Sequence, residues 1–137
     1  YLYYIDSPLI DLFFYLDAKT GFYETDIPVH LLLAKAKVKI PFYFEDFIVE
    51  LLAEKYQAIP QKSLSPEIDG ILVQGGKPVA IVEVKMGKID NHVIYKFLEK
   101  TSLFKCVKIL VGLKDETTLK PKEVEVLTPT KLYNLIK

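Results

Sequence analysis

The alternation of apolar and polar positions divides this chain into early helices and later strands, and it breaks at three charged residues. Ser7 and Pro8 read as a helix cap and first helical position, Leu9, Leu12, Phe13 and Leu16 recur at helical spacing, and Gly21 is placed to end that helix. Residues 28–39 read as a helix opened by Pro28 that frays into an extended Lys/Val segment. From Pro41 a clear helix follows, with Phe44, Phe47, Ile48, Leu51, Leu52 and Lys55 or Tyr56 as its stripe and Glu45, Asp46, Glu50 and Glu54 around it. Residues 57–66 hold two prolines and read as a loop. Two strands then flank Gly75-Gly76. A helix capped by Asp90 or Asn91 carries Val93, Phe97, Leu98, Leu103 and Phe104. "CVKILVGL" reads as a buried strand, parallel to a neighbour and covered on both faces, "EVEVLTP" as another strand, and "PTKLYNLIK" as a terminal helix. This order predicts an α/β sandwich whose mixed sheet contains one antiparallel hairpin.

The hairpin "EIDGILVQGGKPVAIVEVK" carries the candidate chemistry. Glu83 and Lys85 are two apart on one strand and project from one face, while Val82 and Val84 point the other way. Register decides whether Asp69 joins them. A two-residue Gly75-Gly76 turn sets Asp69 opposite Val82, on the wrong face. A three-residue loop, or a bulge in either strand, sets it opposite Glu83. In that second arrangement two carboxylates at ~4 Å repel by about 4 kcal/mol at an effective dielectric near 20. A proton, Lys85 or a divalent cation must offset that. Hard oxygen ligands suit Mg²⁺ or Mn²⁺.

Composition narrows the classes. The chain has 137 residues, half of them hydrophobic, with 18 basic and 18 acidic residues and no formal net charge. That fits a folded domain with a real core and argues against a strongly basic nucleic-acid binder. Every basic residue is Lys, so bidentate Arg forks to phosphate are absent. Lys/Glu richness with one Cys and one Met hints at a thermophile. The lone Cys106 excludes an intrachain disulfide and a Cys-rich metal site, and it fits a reducing, cytoplasmic setting. No apolar run approaches the ~20 residues of a membrane span. The first residue is Tyr, which reads as a piece of a longer protein.

Asp69, a spacer of 13 residues and then Glu83-Val84-Lys85 resembles the PD-(D/E)XK nuclease signature. The resemblance implies a restriction-endonuclease-like fold in which Asp69 and Glu83 bind Mg²⁺ and Lys85 positions or activates water for phosphodiester cleavage. It gives the helix acid's role to Glu45, with Glu50 second, and a polar role on the following helix to Lys96 or Tyr95. The signature's Pro normally touches the Asp; here Pro66 lies three residues upstream. With the aromatic opening "YLYYIDSPLIDLFFYL" and "FEDFIVELL", the chain is similar to the C-terminal domain of archaeal P-loop ATPases. That implies upstream ATPase and winged-helix domains, DNA as the nucleic-acid partner, no membrane, and room for a homo-oligomer. No G-x-x-x-x-G-K-[ST] occurs here. Residues 1–40 are then expected to pack on the core or an upstream domain, and 41–137 to form the nuclease-like core. The alternative is the same fold kept without cleavage, as a regulatory, protein-interaction or DNA-binding module. His30, His92 and Cys106 read as structural or surface residues, and Lys114, Lys120 and Lys122 as a solvated cluster within reach of a phosphate backbone.

Overall fold

The computed structural model describes residues 7–135. The elements run α1 (Pro8–Thr20), α2 (Val29–Lys55), β1 (Ile59–Leu64), β2 (Glu67–Gln74), β3 (Lys77–Ile89), α3 (Asn91–Lys100), β4 (Val107–Asp115), β5 (Val124–Leu127) and α4 (Pro129–Leu135). They fall into two compact units, Tyr1–Phe44 and Glu45–Lys137, and α2 contributes to both.

In the first unit α1 begins as its sequence dictates, with Ser7 in extended backbone and Pro8 in the first turn. Gly21 ends it in the left-handed region and donates its N–H to the Asp17 carbonyl at 2.6 Å. Asp11 accepts hydrogen bonds from Lys39 Nζ at 2.9 Å and the Tyr43 hydroxyl at 2.5 Å. Phe13 meets Phe14, Phe22 and Tyr23 edge-to-face. Residues 29–44 are helical throughout, in place of the expected extended segment. Pro41 sits inside α2, where it lacks the N–H that would bond the Lys37 carbonyl. The aromatic residues Tyr1, Tyr3 and Tyr4 of the opening lie outside the described residues.

The second unit is built on a five-stranded mixed sheet in the order β1-β2-β3-β4-β5. β1, β2 and β3 are successively antiparallel, and β3, β4 and β5 are parallel. The expected single hairpin is thus a three-stranded meander, because the stretch read as a loop holds β1. Its residues are nearly all exposed, so it shows no apolar alternation. α3 lies between the parallel strands β3 and β4 in sequence, as a crossover requires. Ile94 and Phe97 of α3 pack with Ile68, Ile81, Ile89 and Leu110 of the sheet. α3 stops at Lys100, short of Leu103 and Phe104. Leu103 is exposed, while Phe104 still packs against this cluster. On the C-terminal half of α2 the buried positions are Ile48, Val49, Leu52 and Ala53, whereas Phe47 is exposed. Ile48 and Leu52 belong to the expected stripe, and the smaller Val49 and Ala53 join them in place of Phe47, so the buried face is rotated toward Val49 and Ala53. No described helix is long and apolar enough to cross a membrane.

Asp90 is the cap of α3, and its carboxylate accepts the Val93 N–H at 3.0 Å. Asp90→Ala is expected to cost about 1 kcal/mol of stability, measured as a lower urea midpoint with unchanged slope.

Candidate active site

Two irregularities in the strands place Asp69. The turn has only two residues, Gly75 and Gly76, both at positive φ, and pairs Gln74 with Lys77. Taken alone, that register would put Asp69 on the wrong face. Val73 pairs with Pro78 but Leu72 pairs with Ala80, so Val79 is an extra residue in β3. The bulge moves the register by one, and the next pairs reach Gly70 and Val82. The pairing ends there, and the charge of Glu83, the next residue along β3, acts on Asp69.

The second irregularity is in β2. Gln61 pairs with Ile71 and Ser63 with Ile68, so Asp69 and Gly70 together face only Lys62. The paired ladder with β3 stops at Gly70. The Val84 N–H is left without a strand partner on that side, and Asp69 Oδ2 accepts it at 2.8 Å. Gly70 matters here for its missing side chain. A Cβ at this position would lie 2.8 and 2.9 Å from the two methyl groups of Val49. α2 therefore rests against the β2 backbone. Glu45 is one helical turn before Val49, on the same side of the helix, and its charge acts on Asp69.

Glu83 is the most enclosed acid among the described residues, its side chain 7% exposed. Lys85 Nζ donates to Oε1 at 2.6 Å and Lys100 Nζ to Oε2 at 2.5 Å. A small pocket of about 120 Å³ is lined by these three residues together with Val93, Lys96 and Phe97. Glu83 and Lys85 thus face α3, as alternation from the core residue Ile81 requires.

Burial raises the proton affinity of Asp69, and the Glu83 charge adds to it, against the Val84 hydrogen bond and the lysines Lys85 and Lys100. Glu45 is likewise raised, first by burial and then by Asp69, with Lys62 and Lys85 opposing. For Lys85 burial is the largest influence and lowers the pKa, but the Glu83 hydrogen bond and the charges of Glu83, Asp69 and Glu45 together leave it above its ordinary value. Lys85 is therefore an ammonium at neutral pH.

A raised carboxyl has a stability consequence. The folded state keeps the Asp69 proton to higher pH than the unfolded state, so folding weakens as pH climbs from the ordinary value of 3.8 through the raised one. Above that window the penalty is constant. Asp69→Asn, which keeps an oxygen for the Val84 N–H, is expected to stabilise the chain at pH 7 and to lose that advantage below the window. Urea unfolding of both proteins at pH 7 and pH 3 checks it; a gain of equal size at both pH values contradicts it.

Of the residues expected from sequence, Asp69, Glu83, Lys85 and Glu45 lie in one electrostatic neighbourhood. Glu50 points to solvent, as does Tyr95. Lys96 lines the pocket but makes no ion pair with the described residues. The α3 lysine that reaches Glu83 is Lys100, which sequence reasoning did not single out. Its signal was present: it follows Lys96 by four positions and the core residue Phe97 by three. Among the described residues no three or more His, Cys, Asp or Glu side chains gather to hold a metal ion. Two carboxylates remain, Asp69 and Glu83, and Asp69 Oδ1 accepts no hydrogen bond from the described residues. Both Glu83 oxygens are already held by Lys85 and Lys100, so a hard cation shared by this pair, keeping most of its waters, would have to displace a lysine. His30, His92, Lys114, Lys120 and Lys122 are exposed. Cys106 is half-buried against the core, and burial pushes its thiol pKa up. Comparison of the chain with protein-family profiles, curated proteins and solved structures finds no match.

Proposed function

We propose that this chain is a Mg²⁺-dependent nuclease-like domain of the PD-(D/E)XK type, with a restriction-endonuclease-like fold, that hydrolyses nucleic-acid phosphodiester bonds, DNA first among them, as part of an archaeal ATPase. The observation that carries the reading is the position of Asp69, whose carboxylate accepts the N–H of Val84, the residue between Glu83 and Lys85, and feels the charges of both. Asp69 and Glu83 would hold the cation, Mg²⁺ or Mn²⁺. When bound, it supplies Lewis acidity and neutralises charge at the phosphate.

The chain's own groups then divide the work. Lys85, held as an ammonium on Glu83, is a donor and not a base. It orients the attacking water or neutralises a non-bridging phosphate oxygen as charge builds there. Glu45, with its raised proton affinity beside Asp69, orients water and accepts its proton. Water adds to phosphorus, one ester P–O bond breaks, and the departing alkoxide takes a proton from solvent.

A second reading rests on a different observation. Both Glu83 oxygens are occupied by lysines. That favours a catalytically inactive nuclease-fold module, kept for regulation, protein interaction or DNA binding. Incubation with linear and branched DNA and with RNA, in Mg²⁺ or Mn²⁺, separates the two. Cleavage that disappears in Asp69→Ala and Lys85→Ala supports the nuclease. DNA binding that weakens steeply with salt, without cleavage, supports the second reading.

A further inference from the structure

The Glu83 carboxylate holds more positive charge than it can neutralise. It carries one unit of negative charge, and two ammonium groups contact it, one on each oxygen. The side chain is nearly enclosed, so these contacts are strong and loss of all partners would be costly. The two lysines are not equivalent. Lys85 is set beside Glu83 by strand alternation within β3. Lys100 arrives from the last turn of α3 and is less exposed, at 26% against 44% for Lys85.

A divalent cation shared by Asp69 and Glu83 would bring two further positive charges to that carboxylate. Asp69 is bonded to the backbone on one oxygen and has the other available, so Glu83 is where the competition falls. We infer that Lys100 is a resident counter-ion of Glu83 that competes with the divalent cation and thereby sets the cation concentration at which the site fills. This rests on the reading of Glu83 as a cation ligand. It differs from the role of Lys85, because Lys100 acts against cation binding. In the cation-bound protein the released Lys100 ammonium remains at the pocket with Lys96, free to meet an anionic oxygen.

Calorimetric titration of the whole chain with Mn²⁺ tests this without any nuclease assay. Lys100→Met is expected to bind Mn²⁺ about tenfold more tightly than the wild type, since one unit charge in contact with a ligand oxygen is removed. Lys96 lines the same pocket without an ion pair to the described residues, and Lys96→Met is expected to stay within about twofold. Lys85 still pairs Glu83 in Lys100→Met, which favours folding, and circular dichroism verifies it. If that variant does not fold, Lys100→Gln removes the charge and keeps a hydrogen-bond donor for Oε2. Unchanged or weaker Mn²⁺ binding in the neutral variant overturns the inference, as does absence of binding in both proteins. Equal binding alongside wild-type cleavage removes the inference and leaves the nuclease. Binding in Lys100→Met alone supports the inference and removes the active nuclease.

Discussion

Under the proposed nuclease reading, Lys85→Met is expected to lower phosphodiester cleavage by about two orders of magnitude while leaving the chain folded, because removal of one preorganised donor to the developing charge costs on that scale. The expectation of intact folding is specific to this site. Breaking a buried ion pair usually strands a charge and costs about 3–5 kcal/mol. Here Lys100 remains on Glu83 Oε2 at 2.5 Å, so the carboxylate keeps a partner. Lys85 is also partly exposed, and a Met occupies the same stem volume. Glu83→Gln is the complementary change. It removes the common partner of two lysines and, in the proposed reading, a cation ligand, so cleavage and Mn²⁺ affinity are expected to fall together. Cleavage rates and urea midpoints measured on both variants separate chemistry from folding. Wild-type cleavage in a folded Lys85→Met protein sinks the assignment of Lys85.

What the sequence showed of this site follows from how each residue signals itself. Glu83 and Lys85 were legible because strand alternation alone fixes their common face. Asp69 was legible as a candidate but not as a neighbour. Its register depends on Val79, and nothing in "KPVAIV" marks the extra residue. Without it, Asp69 would fall opposite Val82 and face away from Glu83. β1 was not legible. It is an exposed edge strand containing Pro60 and Lys62, residue types that blunt sheet edges and also read as loop. The run through Pro41 was not legible either, because a helix that continues past proline contradicts local preference. Glu45 emerged only in part: the sequence offered Glu45 and Glu50, and the rotation of α2 selects Glu45. That rotation is governed by Val49 and Ala53, smaller than the Phe47 that the stripe would have buried.

The same contact yields the largest expected effect on stability. Gly70→Ala is expected to cost about 2 kcal/mol, because the new methyl would sit under 3 Å from both Val49 methyls in a close-packed site. Neither partner has an easy retreat: Gly70 is in the middle of β2, and Val49 is 3% exposed on a helix held by Ile48, Leu52 and Ala53. Val49→Ala alone removes the methyls and costs about 2 kcal/mol by lost burial. When the two changes are combined, the methyl introduced by Gly70→Ala fills space that the Val49 side chain vacated. The double variant should therefore be more stable than the sum of the single effects by about 1 kcal/mol or more. Additive losses in urea unfolding would refute the close approach of α2 to β2. The cycle also has a functional arm. If the Gly70 contact is what carries Glu45 to Asp69, then Gly70→Ala lowers cleavage beyond its effect on folding, and Val49→Ala added to it restores part of both.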